Sequence, residues 1–473
     1  MLARQLLATV LLVTSSLPAL AQDELDPAVV AKIDAVFADW DKPDVPGCSV
    51  GVYQDGRVLF AKGYGAANLE HQVPNAAHTV FDLGSTSKHV TAACIALLSV
   101  EGKLSLDDEV RRHVPELPEW GERVTIRHLL HHVGGVRDYV SLILMSGRQI
   151  QDRTTDEDAL AVLLRQKDLC FEPGTKQQYS NSGYFLLSRV VLGASGKTLA
   201  EFARERFFEP LGMSATHHFT DCTRVVPHRA TAYAKHGKDF AIDMSDWEQT
   251  GDGAVQSTVE DMAKWVRNLE TGEVGGKAWR DLMFTRAELG KAEDFPYGFG
   301  LMFGTHGGHE HVRHGGAWGG FRADLSMVPA EEFAVVVLAN RADARTGQRA
   351  DRVCAIVLQA VEASPVPAAA RAEKEAPKMG DPAPLPTEAQ LAGFAGSYVS
   401  EEAGVTWVVS IEDQRMHVTG RGAPDEGLPS SGADKFGSPD SLGLRFERDA
   451  EGRPMRFVLD LPGLEGVSFE RVP

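Results

Sequence analysis

Apolar runs near both ends of the long first part of the chain are separated by turn signals, a pattern typical of β-hairpins. Residues 48–53 and 58–63 flank Asp55-Gly56, and residues 321–328 and 333–340 flank a short turn. Between these ends, apolar residues recur mostly at helical spacing. The pattern predicts an α+β fold in which an antiparallel sheet, built from both ends, is flanked by helices and has a helical subdomain beside it.

Three helices follow from apolar periodicity combined with stop signals. The first covers residues 86–101 and ends at Gly102, and the second covers residues 183–193 and stops at Gly193. The third covers residues 348–363 and presents its apolar side chains on one face. Together they supply helices for both the middle and the end of the predicted body.

The last part of the chain, residues 388–473, lacks helical periodicity. Its apolar runs are short and are separated by Gly, Pro, Asp and Ser; they cover residues 405–411, 416–419, 442–447, 455–461 and 467–472. Five or more short strands predict a small β-sandwich or barrel.

Two segments outside these patterns set the expected domain boundaries. Residues 364–387 hold six of the chain's 24 prolines, a composition typical of a semi-rigid linker. Residues 1–21 combine Arg4, a short apolar run and an Ala-x-Ala end, which predicts a cleaved secretory signal peptide. We therefore expect a body over residues 22–363 in an exported protein, periplasmic or secreted, that keeps no stable membrane anchor after cleavage.

Composition narrows the function classes without choosing one. The chain has 473 residues, 43% hydrophobic and 24% charged, which excludes fibrous and disordered classes. Its net charge of −18 excludes a basic nucleic-acid surface. The five cysteines form no C-x-x-C pair, so zinc ribbons and thioredoxin-like motifs are excluded. One disulfide is compatible with export, but the sequence does not show which cysteines would form it. The sequence also assigns no oligomeric state.

Ser85-Thr86-Ser87-Lys88 stands at the start of the first predicted helix. Residues three apart share a helix face, so the Lys88 amine can reach the Ser85 hydroxyl. A serine needs an adjacent base to act as a nucleophile, and a lysine amine serves when burial or a neighbouring cation lowers its pKa. N–H groups at a helix start also suit a developing oxyanion. Ser85 and Lys88 are therefore a candidate catalytic pair.

Two further motifs carry polar groups suited to the same chemistry. Tyr179-Ser180-Asn181 offers a phenol that can shuttle a proton and an amide that can orient a lysine or a substrate, although a buried tyrosine beside a turn-forming Asn fits the tripeptide as well. His314-Gly315-Gly316 precedes the strand at 321–328, and its glycines would let a substrate lie along a strand edge. A second copy of this motif, at residues 306–308, lacks the hairpin directly after it.

The same region suggests a metal site as an alternative. Five potential ligands fall within nine residues: His306, His309, Glu310, His311 and His314. Two imidazoles on one strand face plus a third ligand can hold zinc. No His-Glu-x-x-His motif occurs, because Arg313 stands where the second His is needed. We expect no metal and no cofactor.

The three motifs, in this order, resemble those of the penicillin-recognising serine hydrolases. The chain is similar to the branch that contains class C β-lactamases, D-aminopeptidases and DD-carboxypeptidases. The resemblance covers residues 28–362 and includes residues 81–84, 124–130, 171–174 and 210–213. It implies the β-lactamase/transpeptidase-like fold, and the last domain resembles the small lipocalin-like domains that follow such bodies in D-aminopeptidase-type enzymes.

The resemblance also implies residue roles. Ser85 would be the acylated nucleophile, Lys88 its base, and Tyr179 a proton carrier. Asn181, His314, Gly315 and Gly316 would bind or orient the substrate, and the N–H groups of Ser85 and Ala317 would form the oxyanion hole. The implied reaction is two-step acyl transfer to water, with a small molecule or short peptide as the substrate partner.

One departure from the family pattern bears on the substrate. Lysine-Thr-Gly is replaced by His314-Gly315-Gly316, which removes a permanent cation and a hydroxyl suited to gripping a carboxylate. The replacement favours D-amino-acid peptides, D-amino-acid amides or small esters over a DD-carboxypeptidase or weak β-lactamase activity. A catalytically silent binding protein is the alternative of another class. We also expect the last domain to fold back over the cleft and limit substrate size.

Overall fold

The computed structural model describes residues 25–287, 296–361, 387–423, 427–437 and 442–472. The predicted signal peptide and, apart from Thr387, the predicted linker lie outside the described residues, so these boundaries stay predictions. We call residues 25–361 the body and residues 387–472 the C-terminal barrel.

The described strands of the body are, in chain order, β1 (Cys48–Gln54), β2 (Arg57–Tyr64), β3 (Ala66–Asn68), β4 (Val73–Pro74), β5 (Phe81–Asp82), β6 (His217–His218), β7 (Tyr233–His236), β8 (Asp239–Ile242), β9 (Val255–Ser257), β10 (Met302–His306), β11 (His309–Trp318), β12 (Phe321–Val328) and β13 (Phe333–Ala339). Its described α-helices are α1 (Pro27–Phe37), α2 (Lys88–Val100), α3 (Ile126–Leu130), α4 (Tyr139–Met145), α5 (Asp156–Leu164), α6 (Asn181–Ser195), α7 (Leu199–Ala203), α8 (Val259–Thr271), α9 (Gly276–Met283) and α10 (Thr346–Val361).

The main sheet of the body is antiparallel, in the order β10-β11-β12-β13-β1-β2. The two predicted hairpins, β1–β2 and β12–β13, are joined because β1 pairs with β13, with Cys48 opposite Ala339. The α+β prediction, with one antiparallel sheet built from both ends of the body, is confirmed.

Helices cover both faces of this sheet. On one face, α1 and α10 pack against it, and Ile33, Val50, Val337 and Val353 are fully buried between them. On the other face lie α8 and the 3-10 turn Gly84–Ser87, which leads directly into α2. The serine of interest therefore sits between the sheet and the predicted helical subdomain, where α2 packs on α6.

The prediction that Gly193 ends a helix is wrong. Helix α6 continues to Ser195 and is terminated by Gly196, whose φ is +72°. Gly193 is needed for packing instead, because a Cβ there would lie 2.2 Å from the carbonyl oxygen of His113. The predicted helix over 86–101 is present as the 3-10 turn followed by α2, and Gly102 takes the left-handed conformation after it.

The described residues of the C-terminal barrel form one short helix and eight strands: α11 (Glu388–Ala392), β14 (Gly396–Ser400), β15 (Val405–Glu412), β16 (Arg415–Gly420), β17 (Ser430–Gly432), β18 (Lys435–Gly437), β19 (Gly443–Arg448), β20 (Pro454–Leu459) and β21 (Ser468–Arg471). The order β16-β15-β14-β21-β20-β19-β18-β17 is nearly closed by two hydrogen bonds between Met416 and Leu428. The predicted small β-domain is confirmed. Helix α11 and strands β14, β17 and β18 were not predicted, because they are short and rich in Gly and polar residues.

Two sequence features have plain structural outcomes. All five cysteines are free, so the disulfide that export would allow is absent from this structure. Among the described helices, none combines the length and apolar character needed to span a bilayer.

Candidate active site

The turn at Gly84 brings Ser85 to the sheet. Gly84 has a φ of +50°, and a Cβ there would lie 2.6 Å from the backbone nitrogen of Ala317 on β11, so only glycine fits. The Asp82 carboxylate accepts a hydrogen bond from Gly84 N at 2.7 Å and fixes the turn. Ser85 and Ala317 consequently line the same pocket, as the predicted oxyanion hole requires.

Lys88 lies one turn after Ser85 and is completely buried. Its Nζ is 3.1 Å from Ser85 Oγ, 3.0 Å from Asn181 Oδ1 and 2.8 Å from the carbonyl oxygen of Asp252. The last two partners can only accept hydrogen bonds. They hold two N–H groups of the amine, so a neutral Lys88 would direct its lone pair at the serine hydroxyl. This is the geometry that a general base needs.

Asn181 is fixed at the start of α6. The Ser180 hydroxyl caps this helix by accepting from Gly183 N, and Asn181 N donates to Asp138 Oδ1 at 3.2 Å. Tyr179, just before the cap, is 41% exposed, and its ring centre lies 4.8 Å from Lys88 Nζ. The structure thus brings Tyr179 and Asn181 to the Ser85–Lys88 pair, as the sequence predicts.

His314 is placed below the pocket wall. Its side chain is buried, with Nδ1 2.6 Å from the Gly315 carbonyl oxygen and Nε2 3.0 Å from Tyr297 Oη. Since a carbonyl only accepts, Nδ1 carries the proton and Nε2 accepts from the tyrosine. Burial, reinforced by the positive charge of Lys88, lowers the pKa of His314 to about 3. The ring is therefore neutral at pH 7, and its role in binding or orienting a substrate stays a prediction.

The two glycines of the motif have different surroundings. A Cβ at Gly316 would lie 1.9 Å from the Leu83 carbonyl oxygen, so this glycine lets β11 approach the turn that carries Ser85. Gly315 has room for a Cβ.

One edge of β11 is left unpaired beside Ser85. Strand β10 pairs with β11 only as far as Arg313, so residues 314–318 are paired with β12 alone. A substrate backbone can pair along this edge.

A pocket of about 150 Å³ opens between this edge and the helical subdomain. Ser85, Asn181 and Ala317 line it, together with the acidic residues Asp82 and Asp252. Its described lining contains no Lys, Arg or His. The described lining thus offers two acidic groups, while Lys88, which is hydrogen-bonded to Ser85 and Asn181, is not part of it.

Asp252 is a site residue that the sequence did not reveal. Both of its carboxylate oxygens accept from Tyr139 Oη, at 3.0 and 3.1 Å. Burial raises the pKa of its carboxyl to about 7, against the opposing effects of the Lys88 charge and the Tyr139 hydrogen bond. The only available signal was a polar residue between Gly251 and Gly253.

His132 is the second site residue that the sequence missed. Its Nδ1 accepts from Ser180 N at 3.2 Å, and its ring centre lies 4.3 Å from that of Tyr179. Its backbone has a φ of +59°, an uncommon conformation for a residue other than glycine. Burial and the Lys88 charge hold its pKa well below the usual value, so the ring that supports Tyr179 is neutral.

The proposed metal ligands are dispersed among other partners. The rings of His306 and His311 are tilted against each other with centres 5.5 Å apart, His309 faces Glu331 at 3.5 Å, and Glu310 pairs with Arg286. Within the described residues, no three His, Cys, Asp or Glu side chains are grouped to hold a metal ion.

A comparison with protein-family models assigns the fold and motifs to one family. The model described as Beta-lactamase matches residues 33–359. The chain belongs to the beta-lactamase family. The resemblance inferred from the three motifs is thereby confirmed.

Curated relatives of this chain include D-aminopeptidases from two organisms. A D-aminopeptidase of Gluconobacter oxydans is 31% identical over 304 residues, which are 63% of this chain and 56% of that protein. A D-aminopeptidase of Cereibacter sphaeroides is 29% identical over 412 residues, or 85% of this chain and 72% of that protein. The match thus spans little more than half of the first relative. Together these relatives support a serine hydrolase.

A solved structure supports the whole architecture. The octameric penicillin-binding protein homologue from Pyrococcus abyssi superimposes with a TM-score of 0.63 and 23% identity, covering 93% of this chain and 98% of that chain. At this identity the likeness establishes the fold alone. It includes the C-terminal barrel as well as the beta-lactamase-like body.

Proposed function

We propose that this chain is an exported serine hydrolase that forms an acyl-enzyme at Ser85 and releases amino-terminal residues from D-amino-acid peptides or amides. The hydrolase assignment rests on the hydrogen bonds of Lys88. Asn181 Oδ1 and the Asp252 carbonyl oxygen accept from two N–H groups of the amine, so that the lone pair of a neutral Lys88 points at Ser85 Oγ. The signal-peptide pattern of residues 1–21 supports export.

The first half of the reaction follows from this geometry. Lys88 takes the Ser85 proton while Oγ bonds to the substrate carbonyl carbon, and the oxyanion accepts hydrogen bonds from the N–H groups of Ser85 and Ala317. Collapse of this intermediate breaks the bond to the leaving amine, which receives a proton through Lys88 and Tyr179. Water then attacks the ester at Ser85 by the reverse sequence of proton transfers and frees the enzyme.

The charge of the pocket selects among the substrate classes. A DD-carboxypeptidase or β-lactam substrate presents a carboxylate, for which the described lining supplies no cation. His314 does not replace one, because its ring is neutral. A free α-ammonium group, in contrast, meets Asp252 and Asp82 beside the nucleophile. The D-aminopeptidase relatives support the same choice.

If the Asp252 carboxylate binds the substrate ammonium, we expect the enzyme to prefer a substrate with a free amine over its N-acetyl analogue. D-alanine p-nitroanilide should have a kcat/KM about 10- to 100-fold above that of its N-acetyl analogue, the usual worth of a charge-assisted hydrogen bond. The ratio of the two values cancels the titration of the shared catalytic groups. It should rise as pH rises through about 7, because the Asp252 carboxyl loses its proton there, and fall again above about 8, because the α-ammonium of the substrate then loses its own proton.

The matched variant is Asp252→Asn, which keeps an acceptor for Tyr139 and the backbone contact with Lys88. It should lower kcat/KM for the free amine far more than for the N-acetyl substrate and should flatten the ratio across pH. A variant with an unchanged ratio would refute ammonium recognition by Asp252. If the protein hydrolyses neither of these substrates and no other D-amino-acid amide, the proposed function itself is refuted.

A further inference from the structure

A loop of the C-terminal barrel docks beside the candidate active site. The loop covers residues 461–466, between β20 and β21. Its Gly463 carbonyl oxygen accepts from Asp138 N at 2.8 Å, and its Glu465 carbonyl oxygen accepts from Arg137 Nε at 3.3 Å. A Cβ at Gly463, whose φ is +86°, would lie 3.3 Å from that of Asp138. The loop therefore lies in close contact with the segment before α4.

The Glu465 side chain reaches a second segment of the body. Its Oε2 accepts from Gln178 Nε2 at 3.1 Å, and its Oε1 lies 3.3 Å from Lys176 Nζ. The same carboxylate is braced by the backbone nitrogen of Gly463 at 2.8 Å. Although burial opposes ionisation, the hydrogen bond from Gln178 and the Lys176 charge help to hold the pKa of Glu465 below its ordinary value.

Both contacted segments carry residues of the site. Asp138 accepts from Asn181 N through one carboxylate oxygen and caps α4 by accepting from Ser141 N through the other. Gln178 directly precedes Tyr179 and donates its backbone N–H to the His132 carbonyl oxygen at 2.9 Å. One barrel loop thus holds the anchors on both sides of Tyr179-Ser180-Asn181.

The segment before Tyr179 has no regular secondary structure. Residues 175–180 form neither helix nor strand, and Tyr179 itself is exposed. Fixing such a segment costs conformational entropy, which contacts from outside the segment must offset. Glu465 and His132 supply such contacts to Gln178 and Ser180.

We propose that Glu465 is a positioning residue for Tyr179 and Asn181, so that the C-terminal barrel completes the active site from behind. The inference rests on the proposed function, because it is read out through acylation of Ser85. The described pocket lining contains body residues only. The expected fold-back of the last domain over the cleft stays a prediction beside this support of the loop that carries Tyr179.

The test compares Glu465→Ala and Glu465→Gln with Glu401→Gln in the full chain. Glu401 pairs with Lys167 at 3.0 Å across the same two parts of the molecule but is 80% exposed and contacts no part of the site. We expect Glu465→Ala to lower kcat for D-alanine p-nitroanilide about 10- to 100-fold, the effect of a misplacement near 1 Å. The KM of Glu465→Ala should change little. The kcat of Glu465→Gln should lie between those of Glu465→Ala and the wild type, and the kcat of Glu401→Gln should equal that of the wild type.

A double variant separates positioning from a general loss of structure. If Glu465 acts through Gln178, the pair Gln178→Ala/Glu465→Ala should lose no more kcat than Glu465→Ala alone. Two outcomes overturn the proposal: a kcat for Glu465→Ala equal to that of Glu401→Gln, or a fall explained entirely by the unfolded fraction seen in thermal melts. An inactive wild type that reacts with no serine-directed probe would instead defeat the proposed function.

Discussion

Replacing Ser85 with alanine is expected to lower kcat/KM for D-alanine p-nitroanilide by about 10⁴-fold or more, the scale on which nucleophile removal acts in serine hydrolases. The reason is geometric. In the variant the Lys88 amine keeps its hydrogen bonds to Asn181 and the Asp252 carbonyl, but the hydroxyl that it would deprotonate is missing. Folding should hardly change, within about 0.5 kcal/mol, because Ser85 is only partly buried and caps no helix.

Ser87 is the matched control in the same turn. It is completely buried, and its hydroxyl accepts from Val255 N at 3.1 Å, away from Lys88. Ser87→Ala should lower the free energy of unfolding by about 1–3 kcal/mol, because a buried N–H loses its acceptor, and should retain kcat. The opposite pattern, with Ser85→Ala active and Ser87→Ala inactive, would contradict the assignment of the nucleophile.

The second large effect is expected at the buried ion pair that joins the barrel to the body. Arg137 and Glu402 are 4% and 3% exposed and are hydrogen-bonded to each other. Glu402 also accepts from the backbone nitrogen of Lys167 at 3.0 Å. Glu402→Gln should lower the free energy of unfolding by about 3–5 kcal/mol, because it leaves the Arg137 charge buried without a counter-charge. Urea denaturation monitored by tryptophan fluorescence measures this change.

The exposed neighbour Glu401 provides the control for this prediction as well. Its pair with Lys167 faces solvent, so Glu401→Gln should cost about 0–1 kcal/mol. Removing both buried charges in Arg137→Met/Glu402→Gln should recover much of the stability lost in Glu402→Gln. If the two single glutamine variants unfold at the same urea concentration, the barrel is not held by this pair.

The parts of the fold and site that follow from local spacing were predictable. Ser85 and Lys88 meet because three residues span one helical turn, and the two hairpins follow from alternating apolar runs around short turns. Gly193 was misassigned because a glycine in a helix serves either to end it or to admit a neighbouring backbone, and only the contact with His113 distinguishes the two.

The residues that the sequence did not reveal depend on contacts between distant segments. Tyr139 and Asp252 are 113 positions apart, and Gln178 and Glu465 are 287 apart. No periodicity or motif encodes such pairs, because they arise only when the sheet, the helical subdomain and the barrel pack together. His314 stands in a motif that the sequence shows, but its bond to Tyr297 and its neutral state required the structure.

Covalent labelling is the decisive experiment for Ser85 as the acylated nucleophile. Wild-type protein is treated with a fluorophosphonate probe, and the modified residue is located by peptide mass spectrometry. We expect one adduct, on the peptide that contains Ser85, and no adduct in Ser85→Ala. An adduct on another residue, or labelling of Ser85→Ala at the wild-type rate, would show that Ser85 is not the nucleophile.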